Sequence, residues 1–128
     1  MPMKVFILLC CLCVGANTFA QHTNNIYQEF EVAQNAEFPE GIENFKKLIY
    51  QNIQYPAQKK KTVAVVSFLV NEQGKVEQVK ALKKAGDGYD EATIKAIMIV
   101  NSKYTWKPAL NSNGQIVKVR KTIPIKFE

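Results

Sequence analysis

Few side chains in this sequence have the means to do covalent chemistry. His22 is the only histidine, and the three cysteines, Cys10, Cys11 and Cys13, crowd together near the start. A nucleophile–base pair or a zinc site draws on thiols and imidazoles held on a rigid element. Ser67 stands in a β-branched run with no motif around it. Asp87, Asp90 and Glu91 are neighbours in sequence but do not match the ligand positions of an EF-hand loop, so turn and cap roles suit them better. Gly86-Asp87-Gly88 lacks the spacing of a phosphate-cradling loop. The expectation is a protein without catalytic residues, cofactor or metal. An envelope enzyme is the reading these residues argue against.

The cysteines fall in a segment expected to be removed. Met1-Pro2-Met3-Lys4 is a short positive start, Val5 to Val14 is an almost unbroken apolar run, and Thr18-Phe19-Ala20 offers small residues before Gln21. This reads as a secretory signal peptide over 1–20, because the run is well short of the ~20 apolar residues that span a bilayer. An uncleaved inner-membrane signal anchor is the rival reading. No small residue directly precedes a cysteine in the way a lipidation site wants. The exported chain then has no thiol and no disulfide. Its stability has to come from the core of one domain of roughly a hundred residues.

Without the signal, sixteen basic residues face eleven acidic ones, a net charge of +5. They are unevenly placed. Residues 21–45 carry five Glu and no Lys or Arg, whereas the chain from Lys46 onward carries all sixteen basic residues and six acidic ones. An acidic arm, 21–37, precedes a basic domain, 38–128. A basic balance suits nucleic acid in some proteins, but in an exported one a solvated surface or an acidic protein partner is expected, and no nucleic acid.

The elements follow from pattern. Tyr27–Val32 is a short strand or a loose arm. Phe38-Pro39-Glu40-Gly41 is a turn, and Ile42, Phe45, Leu48, Ile49 and Ile53 recur at helical spacing. Tyr55-Pro56 stops that helix, since the residue before proline is pushed out of the α region. Thr62 to Val70 is apolar on both faces and reads as a central strand. Asn71–Gly74 turns it into the more polar strand Lys75 to Lys83. Asp90 is expected as the N-cap of a second helix, so apolar from Ala92 to Val100 that burial on most sides is expected. No internal repeat is apparent. Trp106 is expected to anchor the turn Asn111–Gly114, which launches the last strand.

That strand holds the chemistry that remains, which belongs to the backbone. Val117, Val119, Ile123, Ile125 and Phe127 share one parity, broken only by Lys121; Lys118, Arg120, Thr122, Pro124 and Lys126 share the other. Proline has no N–H, so inside a strand it marks an edge. If the missing donor of Pro124 faces outward, Ile116, Lys118, Arg120 and Thr122 also turn their backbone groups outward. Val117, Val119, Lys121 and Ile123 then pair inward. Such an edge is either simply defended by its Lys and Pro residues or open to an added strand.

The motifs, taken in order, resemble a known family. Phe38-Pro39-Glu40-Gly41, Tyr55-Pro56, the hairpin Val65–Val70 with Gly74-Lys75-Val76, Tyr89-Asp90-Glu91-Ala92, Trp106-Lys107-Pro108-Ala109, Asn113-Gly114 and Ile123-Pro124-Ile125-Lys126-Phe127 are similar to the landmarks of the TonB C-terminal domain, over about residues 36–128. The resemblance implies an α+β fold: a three-stranded antiparallel sheet with two helices on one face and the C-terminal strand at an edge. It implies that Gln115, Ile116, Val117, Lys118, Val119, Arg120, Lys121 and Thr122 pair with the TonB box of an outer-membrane TonB-dependent transporter, in the periplasm and in support of transport. Lys118 and Arg120 would favour an acidic partner. The same edge could instead pair with a second copy, giving a homodimer. Energy transducers of this family couple to the ExbB–ExbD motor through a membrane anchor and a Pro-rich spacer. A cleavable signal and a short arm would give recognition without that coupling. The charge split adds one expectation: Glu29 and Glu31 could fold back over the basic edge.

Overall fold

The computed structural model describes residues 25–128. The expected signal segment and His22 lie outside them. The elements are β1 (Ile26–Gln28), a 3-10 turn (Glu29–Glu31), α1 (Ile42–Asn52), β2 (Thr62–Val70), β3 (Val76–Lys83), α2 (Tyr89–Lys103), β4 (Ala109–Leu110) and β5 (Ile116–Phe127). The sheet order is β1-β5-β2-β3, with β4 paired to the start of β5. Its centre is the expected three-stranded antiparallel unit: β2 pairs β5 from Thr62↔Phe127 to Val70↔Val119, and β3 on its other side. Two short strands are added. One of them, β1, runs parallel to β5, so the whole sheet is mixed.

β2 lies between two strands, and both of its faces are shielded. Ala64, Val66, Phe68 and Val70 enter the main core, while Ser67 and Leu69 are buried on the opposite side. Phe45 and Ile49 of α1 and Ala96, Ile97 and Val100 of α2 meet the first set, together with Val119, Ile123, Ile125 and Phe127 of β5. At the centre of the core Trp106 touches three phenylalanines, with ring centroids 5.3 Å from Phe38, 4.9 Å from Phe45 and 5.6 Å from Phe68. Tilted and edge-on pairs of this kind add about 0.5–1.5 kcal/mol each beyond area burial.

Three local expectations change. α2 buries Thr93, Ala96, Ile97 and Val100 but leaves Met98 60% exposed. At 3.6 residues per turn these four positions form one stripe, and Met98 falls off it. The N-cap of α2 is Gly88, not Asp90. The Asp90 carboxylate instead turns back to accept the N–H groups of Ala85 (2.9 and 3.0 Å) and Gly86 (3.0 Å), tying the incoming loop to the first helical turn. The main chain of Trp106 braces the Asn71–Gly74 turn, not the later one. Its N–H donates to the Gly74 carbonyl at 2.9 Å.

The two hairpin turns are copies of each other. Asn71 N–H donates to the Lys75 carbonyl, and Asn71 Oδ1 accepts from Gln73 and Lys75; Asn111 does the same with Gln115, Asn113 and Gln115. Both close at a left-handed glycine, Gly74 and Gly114. The sequence shares only Asn-x-x-Gly at these places, too little to stand out as a repeat.

Candidate functional site

β5 begins where the Asn111 turn releases it. Gln115 is held by Asn111, Ile116 and Val117 sit opposite Leu110 and Ala109, and from Val119 onward β2 takes one side of the strand. The orientation of the other side is fixed by two bonds. Thr122 N–H points to Glu29 Oε2 at 3.4 Å, and Lys126 N–H to the Tyr50 hydroxyl at 3.1 Å. Backbone groups alternate along a strand, so the even-numbered residues face away from β2. Pro124, between them, has no donor to satisfy.

This side of β5 is not bare. β1 lies along it in parallel, with Ile26 opposite Lys118, Tyr27 opposite Val119 and Gln28 opposite Arg120. The Tyr50 hydroxyl closes the far end, donating to the Lys126 carbonyl at 2.9 Å. The acidic arm is therefore built into the sheet. Its later part, 33–37, is stitched to β4 and the segment before it, by bonds between Ala33 or Gln34 and Leu110 and between Glu37 and Lys107. Ala36 and Phe38 then enter the core.

Lys121 explains why the arm settles here. It occupies an apolar parity position and is 5% exposed, so its ammonium needs a partner inside the fold. Glu29 Oε1 lies 2.8 Å from Lys121 Nζ, Asn35 Oδ1 lies 3.1 Å away, and the Trp106 ring centroid is 5.6 Å off. Asn35 Nδ2 in turn donates to Glu29 at 3.0 Å. Burial raises the carboxyl pKa of Glu29. The bonds from Lys121 and Asn35, the Lys121 charge and the Thr122 N–H outweigh that, and the net pKa is lowered. Glu31 does not reach β5; it accepts the Gln28 N–H at 2.8 Å and closes the 3-10 turn.

The side chains of the edge divide by face. Val117 and Val119 are buried, Ile116 is exposed, and Lys118 lies beside Ile26. The Arg120 guanidinium lies across the outer face of the sheet, 3.4 Å from Ser67 Oγ and 3.5 Å from Gln78 Oε1. Gln78 sits in a bulge of β3 with φ 53°, which is what turns it toward Arg120. Reasoning from sequence missed Tyr27, Gln28, Asn35 and Tyr50 as groups of this site. One signal was available: a lone Lys in an apolar parity calls for a carboxylate, and the only acid-rich, base-free stretch is the arm.

A hollow of about 420 Å³ opens where β1 ends, lined by Glu29, Asn35, Lys46, Lys121, Thr122 and Pro124 among others. The arrangement is one of backbone pairing: an extended segment lies along the outer side of β5, and its carboxylate meets a buried cation. Among the described residues no group of His, Cys, Asp and Glu is placed to hold a metal, and no helix is long and apolar enough to cross a membrane. The profile of the family described as Gram-negative bacterial TonB protein C-terminal matches residues 51–128. No curated protein matches the chain.

Proposed function

The chain belongs to the Gram-negative bacterial TonB protein C-terminal family, and on that premise we propose that it is a periplasmic protein-recognition domain. It takes the TonB-box peptide of an outer-membrane TonB-dependent transporter as an added strand on the outer side of β5, over Gln115–Thr122. Backbone bonds supply most of the affinity in such an addition, and side chains select the partner. Lys118 on the edge and the ammonium of Lys121 favour an acidic peptide.

The observation that carries this reading is the pairing of β1 with β5: the outer side of the strand takes an extended segment in register over Lys118–Arg120. The test is titration of the protein with TonB-box peptides from its host, followed by amide NMR. The expected result is saturable shifts at Lys118, Arg120 and Thr122, weakened by Lys118→Asp. Unmoved amides at high micromolar peptide would sink the reading.

A further inference from the structure

The same outer side of β5 cannot hold β1 and an incoming peptide together. We propose that residues 26–29 are a displaceable cis strand, which occupies the β5 edge until a peptide in trans takes its place. This inference rests on the strand-addition reading of β5.

The arm is built in two grades of attachment, and the boundary between them is Val32. Residues 33–38 are fixed: five backbone bonds of 2.8–3.1 Å join Ala33, Gln34 and Glu37 to Leu110 and Lys107, and Ala36 and Phe38 are buried. Residues 26–31 are held far more lightly. β1 is three residues long, none of them buried, Ile26 is 39% exposed, and Phe30 is 87% exposed. Its strongest tie is the Glu29 carboxylate, which meets both Lys121 Nζ and the Thr122 N–H. Peeling 26–31 back to Val32 uncovers one half-buried apolar side chain, Tyr27, which packs against the core, and no fully buried one. Segments with few buried contacts and short ladders open at the lowest free energy. Asn35 stays in place when the arm lifts, because its own segment is stitched to Lys107 and Leu110.

Removal of Glu29 leaves Lys121 with an amide oxygen but no counter-charge. A competitor that brings a carboxylate to the same point restores the pair, and an apolar peptide does not. The device therefore also selects: the peptide that succeeds is extended and acidic near the position Glu29 holds. The affinity seen from outside is the intrinsic affinity reduced by the fraction of protein whose edge is free.

Three forms test this, in a background with Cys10, Cys11 and Cys13 changed to serine. The first is that parent. The second carries Glu29→Gln, which loosens the arm. The third carries Ile26→Cys with Lys118→Cys, an aligned pair whose disulfide locks the arm down. Without any peptide, hydrogen exchange at the Arg120 and Thr122 amides is expected to speed up about tenfold in Glu29→Gln, the size of one charged hydrogen bond. Two probes follow, a TonB-box peptide and a synthetic copy of residues 25–31. Both are expected to bind Glu29→Gln about tenfold more tightly than the parent, and the locked form only after reduction.

Equal binding to locked and reduced forms overturns the inference and leaves the function reading standing. Unchanged exchange in Glu29→Gln overturns it as well, and so does failure of both probes on that variant. If the copied arm binds and the TonB-box peptide does not, the cis strand stands and the proposed partner falls.

Discussion

Lys121 and Glu29 form one ion pair, yet the two ends should respond unequally to mutation. The Lys121 side chain is 7% exposed and that of Glu29 is 37% exposed. Breaking a buried pair by removing one partner costs about 3–5 kcal/mol, because it strands the other charge. Glu29→Gln strands the buried ammonium, but water reaches the Glu29 side and Asn35 still accepts from Lys121. The expected cost is therefore smaller, about 1–2 kcal/mol. Lys121→Met strands nothing of that kind. The freed carboxylate is partly in water, and keeps Asn35 Nδ2 and the Thr122 N–H. The new side chain is apolar in an apolar parity, against Trp106, where a thioether packs well. The cost of removing one partner comes from the charge left behind, and here that charge is the partly solvated Glu29, so the expected change is within about 0.5 kcal/mol of zero. In the double variant the cost of Glu29→Gln should largely vanish. Urea unfolding of all four proteins gives the cycle. A Lys121→Met cost equal to or larger than that of Glu29→Gln would refute the account of Lys121 as a cation kept in the core by its acid.

Other outcomes follow from the same geometry. Glu29 is packed beside Lys121 and Asn35, with Lys46 and Glu37 lining the same hollow and Glu31 on its own turn. Its pKa is lowered on folding, so the contact is complete above the ordinary carboxyl value of 4.5 and is lost as pH falls through the lower folded value. Exchange at the Thr122 amide, measured across pH 3–6 and corrected for intrinsic rates, should accelerate at the acid end in the parent but not in Glu29→Gln. Gly74 and Gly114 have nearly the same φ, 76° and 75°, but a Cβ on Gly74 would lie 2.0 Å from the Trp106 carbonyl oxygen while Gly114 has open space. Gly114→Ala should cost about 1–2 kcal/mol for the left-handed backbone, and Gly74→Ala clearly more; equal losses in thermal unfolding would contradict the close approach. Asp90→Ala removes the acceptor of two N–H groups, one of them buried, and should cost about 2–3 kcal/mol, a drop of roughly 8 °C or more in Tm for a domain of this size.

Much of the fold could be read because its signals are local. The helix before Tyr55-Pro56, the strand Thr62–Val70 and the alternation after Gln115 each depend on neighbours a few positions away. The structure keeps them nearly residue for residue. Pro124 even assigned the sides of β5. What could not be read depends on distance. Asp90 looks like a cap until Ala85 and Gly86 turn their amides toward it. Lys121 looks like a flaw in a pattern until Glu29, 92 positions earlier, is placed on it. The arm was legible as acidic and as a possible strand, but its two grades of attachment come from pairing with Lys107 and Leu110, which no periodicity encodes.

The place of β5 in the sheet has a consequence for the order of folding. β2 can pair with β3 as soon as the Asn71 turn closes, since the two are neighbours in sequence. Its other edge has to wait for β5, the last of the described elements to be made, and β1 waits for the same strand. Until then Thr62–Val70, nine residues of high β-propensity with no charge and no proline, present an unpaired apolar edge of the kind that nucleates aggregation. Long-range pairing of this sort folds slowly. A chain cut short by only the twelve residues of β5 would keep both helices and a hairpin and still lack the strand that makes its centre safe.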